Sequence, residues 1–147
     1  MLEKQIKEIK RMTGFKIDSF KVIKKGAENL IIEVNEECIF RFPKDPAAKA
    51  KMLKRLDFLI KFSKVSPISI PEPKYVGEGV IGYKKILGEP FLPSYVEKLS
   101  KKDGYKIAKQ LGLFLKTLHN YKDRSVNFDT GYLVMRQSDY QSCPQEF

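Results

Sequence analysis

Side chains suited to covalent or metal chemistry are few in this sequence, and their spacing does not favour it. Cys38 lies in a strand-like run and Cys143 near the carboxyl end, with no C-x-x-C pair, and His119 is the only histidine. Neither a disulfide framework nor a zinc site is indicated. What the chain carries in quantity is cationic nitrogen: 28 Lys and Arg stand against 18 Asp and Glu, a formal charge of +10. Such a surface attracts anions, so nucleotide phosphates, nucleic acid, acidic lipid and acidic protein are the partner classes to weigh. Lys49, Lys51, Lys54, Lys61 and Lys64 concentrate the charge on one side of a helix that opens at Pro46. A nucleic-acid reading would want interleaved exposed aromatics or an R-G-rich arm, and the sequence has neither.

The elements that must position these groups follow from periodicity. Leu2, Ile6, Ile9 and Met12 recur at helical spacing and Gly14 stands where a helix would stop. From Phe15 to Ile23 apolar and polar residues alternate, which predicts a strand; Asn29–Val34 and Cys38–Phe42 predict two more, separated by Asn35-Glu36-Glu37 and closed by Pro43. The helix from Pro46 has an apolar face of Ala48, Met52, Leu53, Leu56, Leu59 and Ile60. A proline-rich stretch, Pro67–Pro73, then leads into two further strand-like runs, Lys74–Gly77 and Val80–Ile86. Pro93–Leu99 predicts a short helix, and Tyr105–Tyr121 a longer one with Ile107, Ala108, Leu111, Phe114, Leu115, Leu118 and Tyr121 facing inward. Residues 123–147 are polar and mixed, with one strand-like run at Tyr132–Met135. With 147 residues, 42% of them apolar and 12% aromatic, the chain is one globular domain or part of one. No apolar run approaches the roughly 18 residues of a membrane span, and the charged Met1-Leu2-Glu3-Lys4 opening is unlike a signal segment, so a cytoplasmic location is expected.

Three strands, a helix, two strands, a loop and then helices is the layout of a kinase small lobe followed by the start of a second lobe. Four segments sharpen this: Ile39–Lys44, Pro67–Glu72, Gly82–Pro90 and Phe114–His119. In this order and at these separations they resemble the N-terminal part of the aminoglycoside phosphotransferase family, particularly its 2''-phosphotransferase branch, over about Ile17 to Tyr121. The resemblance implies an α+β fold, a kinase-like N-lobe with a five-stranded antiparallel sheet plus helix, followed by the first helices of an incomplete C-lobe. It divides the chain into 1–86 (N-lobe and hinge), 87–122 (first C-lobe helices) and 123–147 (irregular tail).

What the family does is move the γ-phosphoryl of ATP or GTP, with magnesium, onto a hydroxyl of an aminoglycoside or a related small molecule. That chemistry consists of positioning and charge neutralisation. Carried onto this sequence, the resemblance puts the phosphate loop at Lys24–Asn29 with Gly26, the phosphate-reaching lysine at Arg41, its helix carboxylate at Arg55, and the base-reading hinge at Lys84-Lys85-Ile86. The nucleotide-binding residues it implies are therefore Gly26, Arg41, Lys84 and Ile86. Two departures stand out. Arg41 keeps the positive charge in a wider, planar group, and Arg55 reverses the sign, so two cations would repel unless an anion bridges them. Asp57 lies too far around the helix to replace the missing acid.

The catalytic Asp, Asn and metal-binding Asp belong to the family's second lobe. His119, Asp123 and Asn127, with Phe128-Asp129 after them, mimic that motif at the wrong spacing, and His119 reads better as a helix C-terminal group. No catalytic or metal residue is therefore assigned, and the chain is expected to be a truncated or degenerate member without independent catalysis. Nucleotide is the expected partner, together with a second chain supplying the missing lobe, or self-association through Leu111, Leu115 and Leu118. The alternative is a basic binding module for an acidic partner or nucleic acid on the same scaffold.

Overall fold

A computed structural model describes residues 2–23, 28–89 and 91–122. Helix α1 (Leu2–Thr13) ends where Gly14 takes a positive φ of 69° and donates its N–H to the Lys10 carbonyl at 2.9 Å, a conformation that costs glycine little. The strands that follow are β1 (Phe20–Ile23), β2 (Asn29–Val34) and β3 (Cys38–Pro43). The strand expected from Phe15 starts only at Phe20, because the Asn35 side chain takes over the preceding backbone. Its Oδ1 accepts from the Asp18 and Ser19 N–H groups at 3.0 and 3.2 Å, and its Nδ2 donates to the Lys16 carbonyl at 2.9 Å. Asn35 itself sits at φ 51°, the left-handed region that asparagine tolerates in a tight hairpin.

Helix α2 (Pro46–Phe62) starts on a good cap: Asp45 accepts the Ala48 N–H at 2.8 Å, and Pro46 occupies the first turn, where no N–H is needed. Strands β4 (Pro73–Gly77) and β5 (Val80–Lys84) complete a five-stranded antiparallel sheet in the order β1-β2-β3-β5-β4. Two helices follow, α3 (Pro93–Val96) and α4 (Lys101–Asn120). The latter begins four residues before the expected Tyr105. Ser100 caps it, accepting from the Asp103 N–H at 3.1 Å and donating its hydroxyl to the Asp103 carboxylate at 2.7 Å.

The sheet separates two layers. On one side α1 delivers Ile9 onto Ile32, Val34, Cys38, Phe40, Phe42 and Val80, with Phe15 and Tyr75 edge to face at 5.4 Å. A second, aromatic cluster joins the end of α2 to the end of α4: Phe62 stacks on Phe58 at 5.1 Å and meets Tyr121 and Phe114 at 5.2 and 5.9 Å. The inward face of α4 is narrower than the periodicity suggested. Ile107, Phe114, Leu118 and Tyr121 are partly covered, whereas Ala108, Leu111 and Leu115 are exposed. Asp123, Asn127, Asp129 and the strand-like Tyr132–Met135 lie outside the described residues.

Candidate functional site

Strand parity assigns the faces. Phe40 and Phe42 point to α1, so Arg41 between them points to the opposite face, together with Ile31 and Ile81, the residues paired with it. Glu33, Ile39 and Tyr83 are linked in the same way and share that face. Arg41 is exposed, and its guanidinium carbon lies 5.6 Å from the ring centre of buried Tyr83, a diagonal neighbour across the β3–β5 pairing. This cation–π contact places the guanidinium against the face of the ring. Among the described residues no carboxylate makes an ion pair with Arg41.

An ion pair crosses the same face. Glu33 on β2 meets Lys85, just past β5, at 2.7 Å, so the pair reaches over β3 at the level of Ile39. Its burial is substantial, since the Glu33 side chain is only 13% exposed and that of Lys85 34%. The hydrogen bond to Glu33 raises the Lys85 ammonium above its ordinary value, and burial opposes that. The Lys85 backbone is fixed too, donating its N–H to the Glu37 carbonyl at 2.7 Å.

That bond sets the direction of the hinge. In an antiparallel ladder hydrogen-bonded and non-hydrogen-bonded pairs alternate, so with Lys85 and Glu37 bonded, the Lys84 carbonyl turns away from β3. An open cavity of about 410 Å³ lies there, lined by Ser69, Ile70, Glu72, Lys74 and the run Lys84 to Leu87. The structure thus brings Lys84 and Ile86 into one cavity, on the β4 side of the hinge, and places Arg41 outside it. Gly26 lies outside the described residues.

The third group gathers where β2 begins. Glu28 meets Lys51 of α2 at 2.7 Å. Lys51 chiefly, and Arg55 to a smaller degree, hold the Glu28 carboxyl below the usual carboxylate range. Glu28 thus serves Lys51, a partner 23 positions away in sequence, and not Arg41, whose expected helix carboxylate has no substitute among the described residues. Asp57 pairs instead with Lys61 at 2.6 Å along the helix surface. Two of the five lysines of the basic helix face are therefore already neutralised. Beside Glu28, the Asn29 Oδ1 is buried with no hydrogen-bond partner. Cys38 is buried, and burial followed by the nearby Glu37 pushes its thiol up, away from nucleophilic use. His119 is exposed in the last turn of α4. Among the described residues no group of three His, Cys, Asp or Glu side chains is placed to hold a metal ion, and no helix is long and apolar enough to cross a membrane.

No protein-family model and no curated protein matches the sequence. Solved structures do. The GDP and kanamycin complex of APH(2'')-IIIa superposes with a TM-score of 0.75 at 22% identity, over 84% of this chain and 43% of that one. ADP-bound aminoglycoside phosphotransferase APH(2'')-Ib gives 0.72 at 24% identity, over 86% and 43%. This chain has the kinase-like N-lobe fold of the aminoglycoside phosphotransferases. The macrolide 2'-phosphotransferase MphH from Brachybacterium faecium is also similar, with a TM-score of 0.66 at 15% identity over 84% and 44%. The chain spans less than half the length of these phosphotransferase structures. Its five-stranded sheet and α2 form the N-lobe, and α3 and α4 are the first helices of a second lobe.

Proposed function

We propose that this chain is the nucleotide-binding part of an aminoglycoside phosphotransferase-like protein, whose whole activity is transfer of the γ-phosphoryl of ATP or GTP to a hydroxyl of an aminoglycoside or similar small molecule. One observation carries the reading: in a fold shared with GDP- and ADP-bound phosphotransferases, Arg41 lies on the sheet face opposite α1 beside Tyr83 and the hinge. Ile31, paired with Arg41, offers that face apolar surface beside the guanidinium, and the Glu33–Lys85 pair closes it off over Ile39. Arg41 offers a guanidinium to phosphate oxygens, and the resemblance assigns the phosphate loop to the segment with Gly26 and the base-reading hinge to the backbone at Lys84 and Ile86.

In this proposal residues 1–86 bind the nucleotide in the cytoplasm and residues 87–122 begin the second lobe. Exposed Leu111 and Leu115 on α4 receive further protein, either more polypeptide of the second lobe or another chain. The described residues do not fit a magnesium site, so no step is routed through the metal. They also do not provide the acidic surface that a polycationic acceptor needs, and a chain of charge +10 would repel it. The role assigned to these residues is holding and orienting nucleotide.

The test is a thermal-shift titration of the chain with ATP and GTP. Nucleotide at ten times its Kd is expected to raise the Tm by about 4 °C, and Arg41→Ala to abolish most of the shift while leaving the unliganded Tm within about 2 °C of the original. If millimolar nucleotide produces no shift, while polyanions bind with affinity that falls linearly in log salt, the basic-module reading replaces this one.

A further inference from the structure

We infer that Lys51 and Arg55 of α2 form a phosphate-binding site whose resident anion is the protein's own Glu28. The inference goes beyond the nucleotide reading, on which it rests only for the identity of the natural ligand. Lys51 and Arg55 are four residues apart, so they share one side of α2. Arg55 stands where the resemblance implied a helix carboxylate, so the side of α2 it shares with Lys51 carries two positive charges. Two cations so placed repel each other and are stabilised by an anion between or beside them.

Glu28 meets that need. Its carboxylate is 2.7 Å from Lys51, and its carbonyl accepts the Lys44 N–H at 3.0 Å, which fixes the residue from the backbone side. The other nearby acid, Asp45, is already engaged in capping α2 through the Ala48 N–H. Yet both members of the Glu28–Lys51 pair are nearly half exposed, at 45% and 47%, so the bond is accessible and weak enough to exchange.

A phosphate group carries more charge and more acceptor oxygens than a carboxylate, and it can engage both cations at once. It would therefore displace Glu28 from Lys51. The carboxylate acts as an internal competitor: it keeps the cationic pair occupied in the empty protein and sets a threshold that a ligand with several phosphate charges passes and a singly charged anion does not.

The experiment uses the full chain and three probes, inorganic tripolyphosphate, GTP and guanosine, measured by calorimetry at constant ionic strength. Glu28→Gln is expected to tighten tripolyphosphate and GTP by about fivefold and to leave guanosine unchanged, because the competitor's charge is gone. The double variant Lys51→Met/Arg55→Met is expected to weaken both phosphate ligands by about tenfold or more in either background. Glu28→Ala serves as a second variant if Glu28→Gln folds poorly, and its phosphate affinity should move in the same direction. Unchanged or weaker tripolyphosphate binding in both Glu28 variants would overturn the inference, as would no tripolyphosphate binding at all. If tripolyphosphate responds as stated but GTP does not bind, the α2 site stands and the nucleotide reading fails.

Discussion

Phe62→Ala is expected to release α4 from the N-lobe and to lower stability by about 3–5 kcal/mol, a fall in Tm on the order of 10 °C. Phe62 is 1% exposed and sits in the middle of the ring cluster, stacked on Phe58 and edge-on to both Phe114 and Tyr121. Truncation would remove the ring that touches all three partners and leave a hole among them. Phe62→Leu keeps most of the buried volume and should cost about half as much or less. Thermal and urea denaturation of the three proteins, followed by helical circular dichroism, would measure this. A loss under about 1 kcal/mol for Phe62→Ala would mean that α4 does not draw its stability from α2.

The second large effect is at Gly82. It is paired with Phe40 across the β3–β5 ladder, and a Cβ placed there would come within 2.4 Å of the Phe40 ring and 3.1 Å of the Tyr75 Cβ. The Phe40 ring is fully buried against Tyr75, with centroids 5.8 Å apart, so it has no solvent to swing into. Gly82→Ala is expected to cost about 1–3 kcal/mol through overpacking and Gly82→Val more, both by forcing Phe40 off its rotamer. The reason is space, so a compensating change should work: Phe40→Leu in the Gly82→Ala background should recover stability relative to the sum of the two single losses. Strict additivity in that double-mutant cycle would show that the glycine is required for some other reason.

Much of this architecture was legible because the sheet is built from short, well-punctuated runs. Gly14, Pro43 and Pro46 mark true boundaries, and Asn29–Val34 was read to the residue. The failures have identifiable physics. Alternation at Phe15–Ser19 looked like strand, but the Asn35 side chain, distant in sequence, consumes the hydrogen bonds that a ladder would use. Helical periodicity at Leu111 and Leu115 marks residues that favour burial, and nothing in periodicity says what covers them; in the described residues they stand exposed. On α2, Leu53 belongs to the periodic apolar face yet is 45% exposed, whereas Phe58 and Phe62, four residues apart, form the aromatic cluster.

The candidate site divides in the same way. That Arg41 leaves the α1 core follows from its place between Phe40 and Phe42. Its cation–π contact with Tyr83 depends on the β3–β5 register, which no local pattern encodes. The partners Glu28–Lys51 and Glu33–Lys85 are 23 and 52 positions apart, and only the folded sheet and helix bring them together. On α2 the candidate substitute acid, Asp57, belongs to Lys61, and Glu28 at the start of β2 goes to Lys51, so Arg41 has no carboxylate partner among the described residues.

The central claim is that the sheet face carrying Arg41 holds a nucleotide, and the most direct measurement is an amide chemical-shift titration of the isotope-labelled chain with GTP. Saturable shifts are expected at Ile31, Arg41 and Tyr83 and along the hinge from Lys84 to Ile86, with α1 unmoved. Shifts confined to the lysines of α4, or none at millimolar GTP, would contradict it.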